Sequence, residues 1–371
     1  MSWPTRALID LLGIEHPIIQ APMAGASNAE LAAAVSSAGA LGGFGGTDSS
    51  PDELREVIRA IRQKTSKPFV INLYLDRVEA YVPAAEHEAA LKTALAPAHK
   101  RLNAGDVPDP IDLFGKFDSQ VAAVIEERVP VLSSHFGAPD AKAMRALKAN
   151  GTCVIATATT ASEARLLESA GVDAIIAQGS EAGGHRGTFA APARQAAIGT
   201  MALVPQIADA VSVPVIAAGG IMDGRGIAAA LMLGAGGVQM GTAFVPCPET
   251  AVNPAYVQRL LEAEPGDAVL TDVVSGRPAR LLRNELVDLL EQSQSHRLAF
   301  PEQLSMTRNL RKAASLVGNA GFLPMWAGQG LTLTRAMPAA ELVDWLVSDA
   351  LKLLSCQHAT TSIAPCGGPL T

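Results

Sequence analysis

Eight times along this chain a short apolar run closes on a small or polar residue and leads into a stretch with helical periodicity. The runs occupy residues 17–20, 40–44, 69–73, 129–133, 153–157, 174–178, 214–218 and 237–240. Helical patterns lie between them at 28–37, 51–65, 139–150, 161–170, 199–210 and 225–233. Several carry boundary signals: Asn28 ahead of AELAAAV, Ser50 followed by Pro51, and Gly151, Gly171 and Gly234 just past helix ends. Strands that alternate with helices pair in parallel through right-handed crossovers, and eight such units close an α/β (β/α)8 TIM barrel. The runs are almost continuously apolar, as expected when one face meets the barrel interior and the other meets helices. An open doubly wound sheet is the competing architecture, but its first turn would carry a glycine-rich dinucleotide fingerprint that is missing here.

Two stretches fall outside the repeat. Residues 76–118 hold Pro83, Pro97, Pro108 and Pro110 among charged residues and read as an insertion, so the barrel is expected to comprise 1–75 and 119–248. Residues 249–355 carry helical patterns near 255–263, 281–291, 307–316 and 339–354, and read as a helical cap with a final helix packed on the barrel. The polar tail 356–371 is expected to be disordered.

Composition excludes several functions. With a net charge of −7 and only 4% aromatic residues, the chain offers neither a basic footprint nor a stacking platform for nucleic acid. Its four scattered cysteines point to a reducing compartment and hence to the cytoplasm. No secretory leader and no membrane span is expected. The chain reads as a monomer or homodimer acting on small molecules.

In a barrel, chemistry sits where strands end. Gly219-Gly220 after the seventh run and Gly241-Thr242 after the eighth each enter a helix, which places bare backbone N–H groups at a positive helix end, where a phosphate is held. Taken singly, these glycines are equally readable as tight turns. Asn72 and Gln178 stand at strand ends, where an amide can address the edge of a planar heterocycle or simply satisfy loop backbone. His185, among Gly183, Gly184 and Gly187, is suited to general-base work or to neutralising an anion. His135 is a second candidate at the fourth mouth, and Arg186 can hold a carboxylate or pair with Glu181. No cysteine in a glycine-rich strand-end loop, no strand-end lysine and no H-E-x-x-H argues for covalent or metal chemistry.

The ordered set Gln20-Ala-Pro-Met23, Gln178-Gly-Ser-Glu-Ala-Gly-Gly-His-Arg-Gly187, and Ala217-Ala-Gly-Gly-Ile-Met-Asp-Gly-Arg-Gly226 through Leu233-Gly-Ala-Gly-Gly-Val-Gln-Met-Gly-Thr-Ala-Phe244 resembles the nitronate monooxygenases, class I. The resemblance implies non-covalent FMN, with contacts carried over to Met23, Asn72, Gln178, Gly183, Gly220, Gln239, Met240, Gly241 and Thr242. It places the active-site histidine at His185 and implies oxidation of alkyl nitronates, propionate 3-nitronate among them, by O2 with release of nitrite and no need for NAD(P)H. His135, Tyr256 and Arg308 are the candidate substrate contacts, and Leu304 stands where the family leads one to expect a tyrosine. Two other readings stay open: an NAD(P)H-dependent flavin reductase of the enoyl or quinone type, and a flavin-free barrel binding a phosphorylated metabolite.

Overall fold

The computed structural model describes residues 2–75, 85–111, 116–292 and 297–359. The tail 360–371, Tyr81 and His296 lie outside them. The described strands are β1 (Ile18–Gln20), β2 (Gly42–Gly45), β3 (Phe69–Tyr74), β4 (Val131–His135), β5 (Cys153–Ala158), β6 (Ala174–Gln178), β7 (Gly184–His185), β8 (Val215–Ala218), β9 (Gly237–Met240), β10 (Ala268–Thr271) and β11 (Ala279–Leu282). Eight of them form one parallel sheet in the order β1-β9-β8-β6-β5-β4-β3-β2. A parallel bridge between Ile19 and Leu41, with the Gln20 N–H donating to the Leu41 carbonyl at 2.9 Å, joins the two ends and closes the barrel.

Alternation along each strand sorts the side chains. Ile71 and Leu73 face the surrounding helices, whereas Val70 joins Val131, Ile155, Ile176 and Ile216 in an apolar plug inside the barrel. Leu8 and Leu12, from the first helix Ala7–Leu12, belong to that same plug. Two residues further along several strands the interior turns polar: Asn72 after Val70, Ser133 and His135 after Val131, Thr157 after Ile155, Gln178 after Ile176. The period of two therefore sends the strand-end polar residues into the mouth.

The helices are stopped and started by local chemistry. Ser50 and Glu53 form a reciprocal capping box at the helix Pro51–Lys64, and Asn28, Asp140, Thr160 and Asp223 accept backbone N–H bonds at four other helix starts. The long helix Ala339–Ala359 returns to the barrel and packs on Gly224–Met232 and Ala29–Ser37. Asp349 on it accepts the Gly224 N–H at 2.9 Å.

A second apolar core lies over the mouth and gathers Leu260, Leu282, Leu286, Leu290, Met306, Leu310 and Phe322, with Leu91 and Leu95 from the helix Ala85–Arg101. The stretch read as an insertion thus contributes a helix to this core. The helix preceding β4, Phe117–Glu126, begins just inside that stretch.

Three local expectations are corrected. The fourth run lies two residues later than expected, so His135 ends β4 instead of following it. Residues 281–282 belong to a strand and the helix there starts at Glu285, because Asn284 caps it by accepting the Val287 N–H. The last helix runs on to Ala359, through the first residues of the expected tail. Among the described residues no helix is long and apolar enough to cross a membrane.

Candidate active site

A cavity of about 570 Å³ opens between the carboxyl ends of the barrel strands and the cap. Its lining includes Met23, Asn72, Gln178, Gly183, Gly220, Gln239, Met240, Gly241 and Thr242, and also His135, His185, Tyr256 and Arg308. The candidate cofactor, catalytic and substrate residues therefore meet in one place, from segments spread over most of the chain, whereas Arg186 does not line the cavity.

One wall is bare backbone. Gly219 and Gly220 have φ of 115° and 72°, in the left-handed region where only glycine is comfortable. A Cβ on Gly220 would approach the Glu181 side chain at 3.2 Å, and Glu181 is itself held by the Thr200 N–H and hydroxyl. Among the described residues the N–H groups of Gly220, Gly241 and Thr242 find no protein acceptor. The buried Gln239 Oε1 is likewise left without a donor. A phosphate-bearing ligand with N–H or O–H groups satisfies both deficits at once, so the residues present fit a mononucleotide cofactor.

His185 also lines the cavity, on the segment that follows β6, the strand paired with β8, and its support was not foreseen. After β6 the chain doubles back as β7, which pairs antiparallel with β11, Ala279 facing His185. Gly183 permits this turn, since a Cβ there would lie 2.7 Å from the Ala327 carbonyl carbon and the Gly328 nitrogen. The His185 carbonyl accepts from Gln178 Nε2 at 3.0 Å and from His135 Nε2 at 3.3 Å. Gln178 Oε1 in turn accepts the Gly187 N–H at 2.8 Å, so both ends of that amide serve the loop. Asn72 Nδ2 donates to the Ser133 carbonyl and hydroxyl, which turns its amide across the barrel mouth.

The His185 ring lies 4.8 Å from the Phe300 ring and 5.1 Å from that of Trp326, centroid to centroid, and its Nε2 is 2.9 Å from Ser275 Oγ. Burial, the neighbouring His135 and the Arg277 guanidinium push its pKa down to about 3. His135, stacked on Tyr74 at 5.2 Å, is lowered to about 3 chiefly by burial and then by Arg277. Both imidazoles are therefore neutral at pH 7.

This has a consequence for stability. The unfolded chain takes up protons on these histidines below about pH 6.5, while the folded protein refuses them until about pH 3. Their contribution is complete above pH 6.5 and is lost progressively as the pH falls toward 3. Thermal melting of the His135→Gln/His185→Asn double variant is expected to fall less steeply than that of the native protein between pH 6.5 and 4; parallel curves would contradict the assignment.

The remaining candidates play parts set by their surroundings. Arg186 holds neither a carboxylate nor Glu181: buried, it donates to the carbonyls of Gln178, Gly179 and Ala196 and staples the loop. Fully buried Glu163 secures the next stretch by accepting from Thr188 Oγ1 and the N–H groups of Phe189 and Ala190. Tyr256 lends its hydroxyl to the Trp326 carbonyl. Arg308 reaches the cavity but gives Nη1 to the carbonyls of Asp109 and Ser305. Beside it on the helix Arg308–Leu316 stand Arg311, whose buried Nε has no partner among the described residues, and Lys312. Ser275, Arg277, Phe300 and Arg311 escaped the sequence reading because they lie in loops and cap segments without a motif.

Fold and cavity together define a (β/α)8-barrel enzyme whose strand-end cavity is closed by a cap and faced by a neutral histidine. The sequence profile of the nitronate monooxygenase family matches residues 5–349, and the chain belongs to that family of oxidoreductases. It is 46% identical over 343 residues to the nitronate monooxygenase of Pseudomonas aeruginosa, covering 91% of this chain and 97% of that one. Against the nitronate monooxygenase of Paraburkholderia phytofirmans it is 44% identical, covering 92% and 94%. The solved structure of a nitroalkane oxidase from Streptomyces ansochromogenes superposes with a TM-score of 0.87 at 36% identity, over 95% of this chain and 99% of that one. FabK from Thermotoga maritima superposes with a TM-score of 0.74 at 34% identity, over 96% and 99%.

Proposed function

We propose that this enzyme binds FMN in the capped cavity and oxidises alkyl nitronates with O2, giving a carbonyl product and nitrite. The observation that carries the reading is one cavity that holds both a bare-backbone cradle and a neutral histidine. Bound FMN would accept electrons from the substrate and pass them to O2. The N–H groups of Gly220, Gly241 and Thr242 would hold its phosphate, Gln239 Oε1 would accept from it, and Met23, Asn72, Gln178, Gly183 and Met240 would bound the ring.

The protein's own contribution is placement. Phe300 and Trp326 flank the His185 ring and fix its place in the cavity. An anionic nitronate gains from the field of Arg277, which lies behind both imidazoles. On the outer wall Arg308, Arg311 and Lys312 suit a nitronate with a second negative group, as in propionate 3-nitronate. Cys153 and Cys247 are free, in keeping with action in the cytoplasm.

Oxygen uptake on adding propionate 3-nitronate to the purified yellow protein without nicotinamide tests the reading. Uptake with stoichiometric nitrite is the expected result. An NAD(P)H-dependent flavin reductase is the second reading, and turnover that depended wholly on NADPH would replace the first with it. Colourless protein that FMN cannot reconstitute would overturn both.

A further inference from the structure

Ser275 is fully buried in the loop between β10 and β11, and its hydroxyl sits between two groups. On one side is His185 Nε2 at 2.9 Å; on the other is the Arg277 carbonyl at 3.0 Å. A carbonyl oxygen can only accept, and a serine hydroxyl has one proton to give. If that proton went to the imidazole, two oxygen lone pairs would face each other at 3.0 Å in a buried place. The arrangement that satisfies all three groups has Ser275 donating to Arg277 and accepting from His185, so the imidazole proton lies on Nε2. Nδ1 then holds the lone pair. Among the described residues it has no protein partner, and His185 lines the cavity.

We infer that Ser275 is a positioning residue that locks His185 in the Nε2–H tautomer and makes Nδ1 the only atom through which the imidazole takes a proton from substrate or solvent. The lock is anchored in the fold, because the loop bearing Ser275 leads directly into β11, the strand that pairs with His185. A neutral histidine with a free choice of tautomer would present a donor to the cavity part of the time; this one presents an acceptor always. A proton arriving at Nδ1 yields an imidazolium whose other N–H is already held by Ser275, so the ring does not turn when it becomes charged. Ser275 touches neither substrate nor cofactor and acts through His185 alone. The kinetic part of this inference rests on the nitronate reading; the tautomer itself does not.

The test uses the flavin-loaded enzyme labelled with 15N-histidine, with the His185 resonances assigned by comparison with His185→Asn. The native enzyme is expected to show Nε2 protonated and Nδ1 bare near pH 7. Ser275→Ala is expected to mix the tautomers and to lower kcat/KM for the nitronate on the order of 10- to 100-fold with the flavin spectrum unchanged. Ser275→Thr, which restores the hydroxyl, is expected to recover both. A native His185 protonated on Nδ1 overturns the inference, and so does a Ser275→Ala enzyme with native tautomer and native rate. If the alanine variant does not fold, the native spectrum and the threonine variant still decide. Loss of the nitronate activity altogether would refute the proposed function while leaving the tautomer measurement intact.

Discussion

Replacing His185 by Asn is expected to leave the protein yellow and folded while nitronate turnover falls by about 10²- to 10⁴-fold, the range over which a positioned acid or base contributes. The two halves of this result come from different residues of the same cavity. The proposed flavin cradle consists of Gly220, Gly241, Thr242 and Gln239, none of which hydrogen-bonds to the imidazole, so cofactor retention should not change. His185 stands on β7 and lines the cavity, with its ring near those of Phe300 and Trp326. Asparagine keeps the backbone carbonyl that Gln178 and His135 hold, and so preserves the strand. Flavin absorbance and oxygen uptake on the same sample separate the outcomes. Retained colour with unchanged uptake would reduce His185 to a structural residue.

Gly220→Val is expected to yield folded, colourless protein. A β-branched residue at a φ of 72° is strained by roughly 1–3 kcal/mol, and its Cβ would press on Glu181. The larger effect is that the side chain would occupy the space where the bare N–H groups await a phosphate. Gly151→Val is the control, because Gly151 has a φ of 80° and open space around it, far from the cavity lining. Both variants carry backbone strain, but only the first intrudes on the cradle. Loss of flavin from the first and not the second, read from absorbance with circular dichroism as the measure of folding, is the expected outcome. Equal loss from both would mean that strain, not occupancy, empties the site.

The barrel was legible because its grammar is local. Each apolar run and its cap are read within a dozen residues, and the period of two then decides which strand-end side chain enters the mouth. Asn72 and Gln178 were visible for that reason, since Asn72 interrupts an apolar run and Gln178 closes one. His185 was visible through its glycines, but the strand that carries it was not: β7 is two residues long, and its partner β11 comes far later in the chain. Residues 281–282 were read as helix because Leu281, Leu282, Leu286 and Leu290 recur at helical spacing, although Asn284 breaks the continuity. Arg186 illustrates another limit. Its type suggests an ion pair, but Glu181 is committed to Thr200, and three carbonyls surround the guanidinium. Nothing local announces that Ser275 bonds His185, that Arg277 acts on both imidazoles or that Arg311 borders the cavity.

The pairing of β7 with β11 also bears on how such enzymes can be diversified. A cap is the natural part to exchange when a chimera is built to accept new substrates, since the barrel holds the cofactor cradle. Here the cut would not be clean. The segment that follows Thr271 brings Ser275, Arg277 and the strand that aligns His185, so a transplanted cap must reproduce that ladder or leave the histidine unaligned. Substrate scope can be varied freely only on the helix Arg308–Leu316 and its neighbours, where the cap touches the cavity without holding the histidine. The seam between exchangeable and fixed parts runs through the cap, not between cap and barrel.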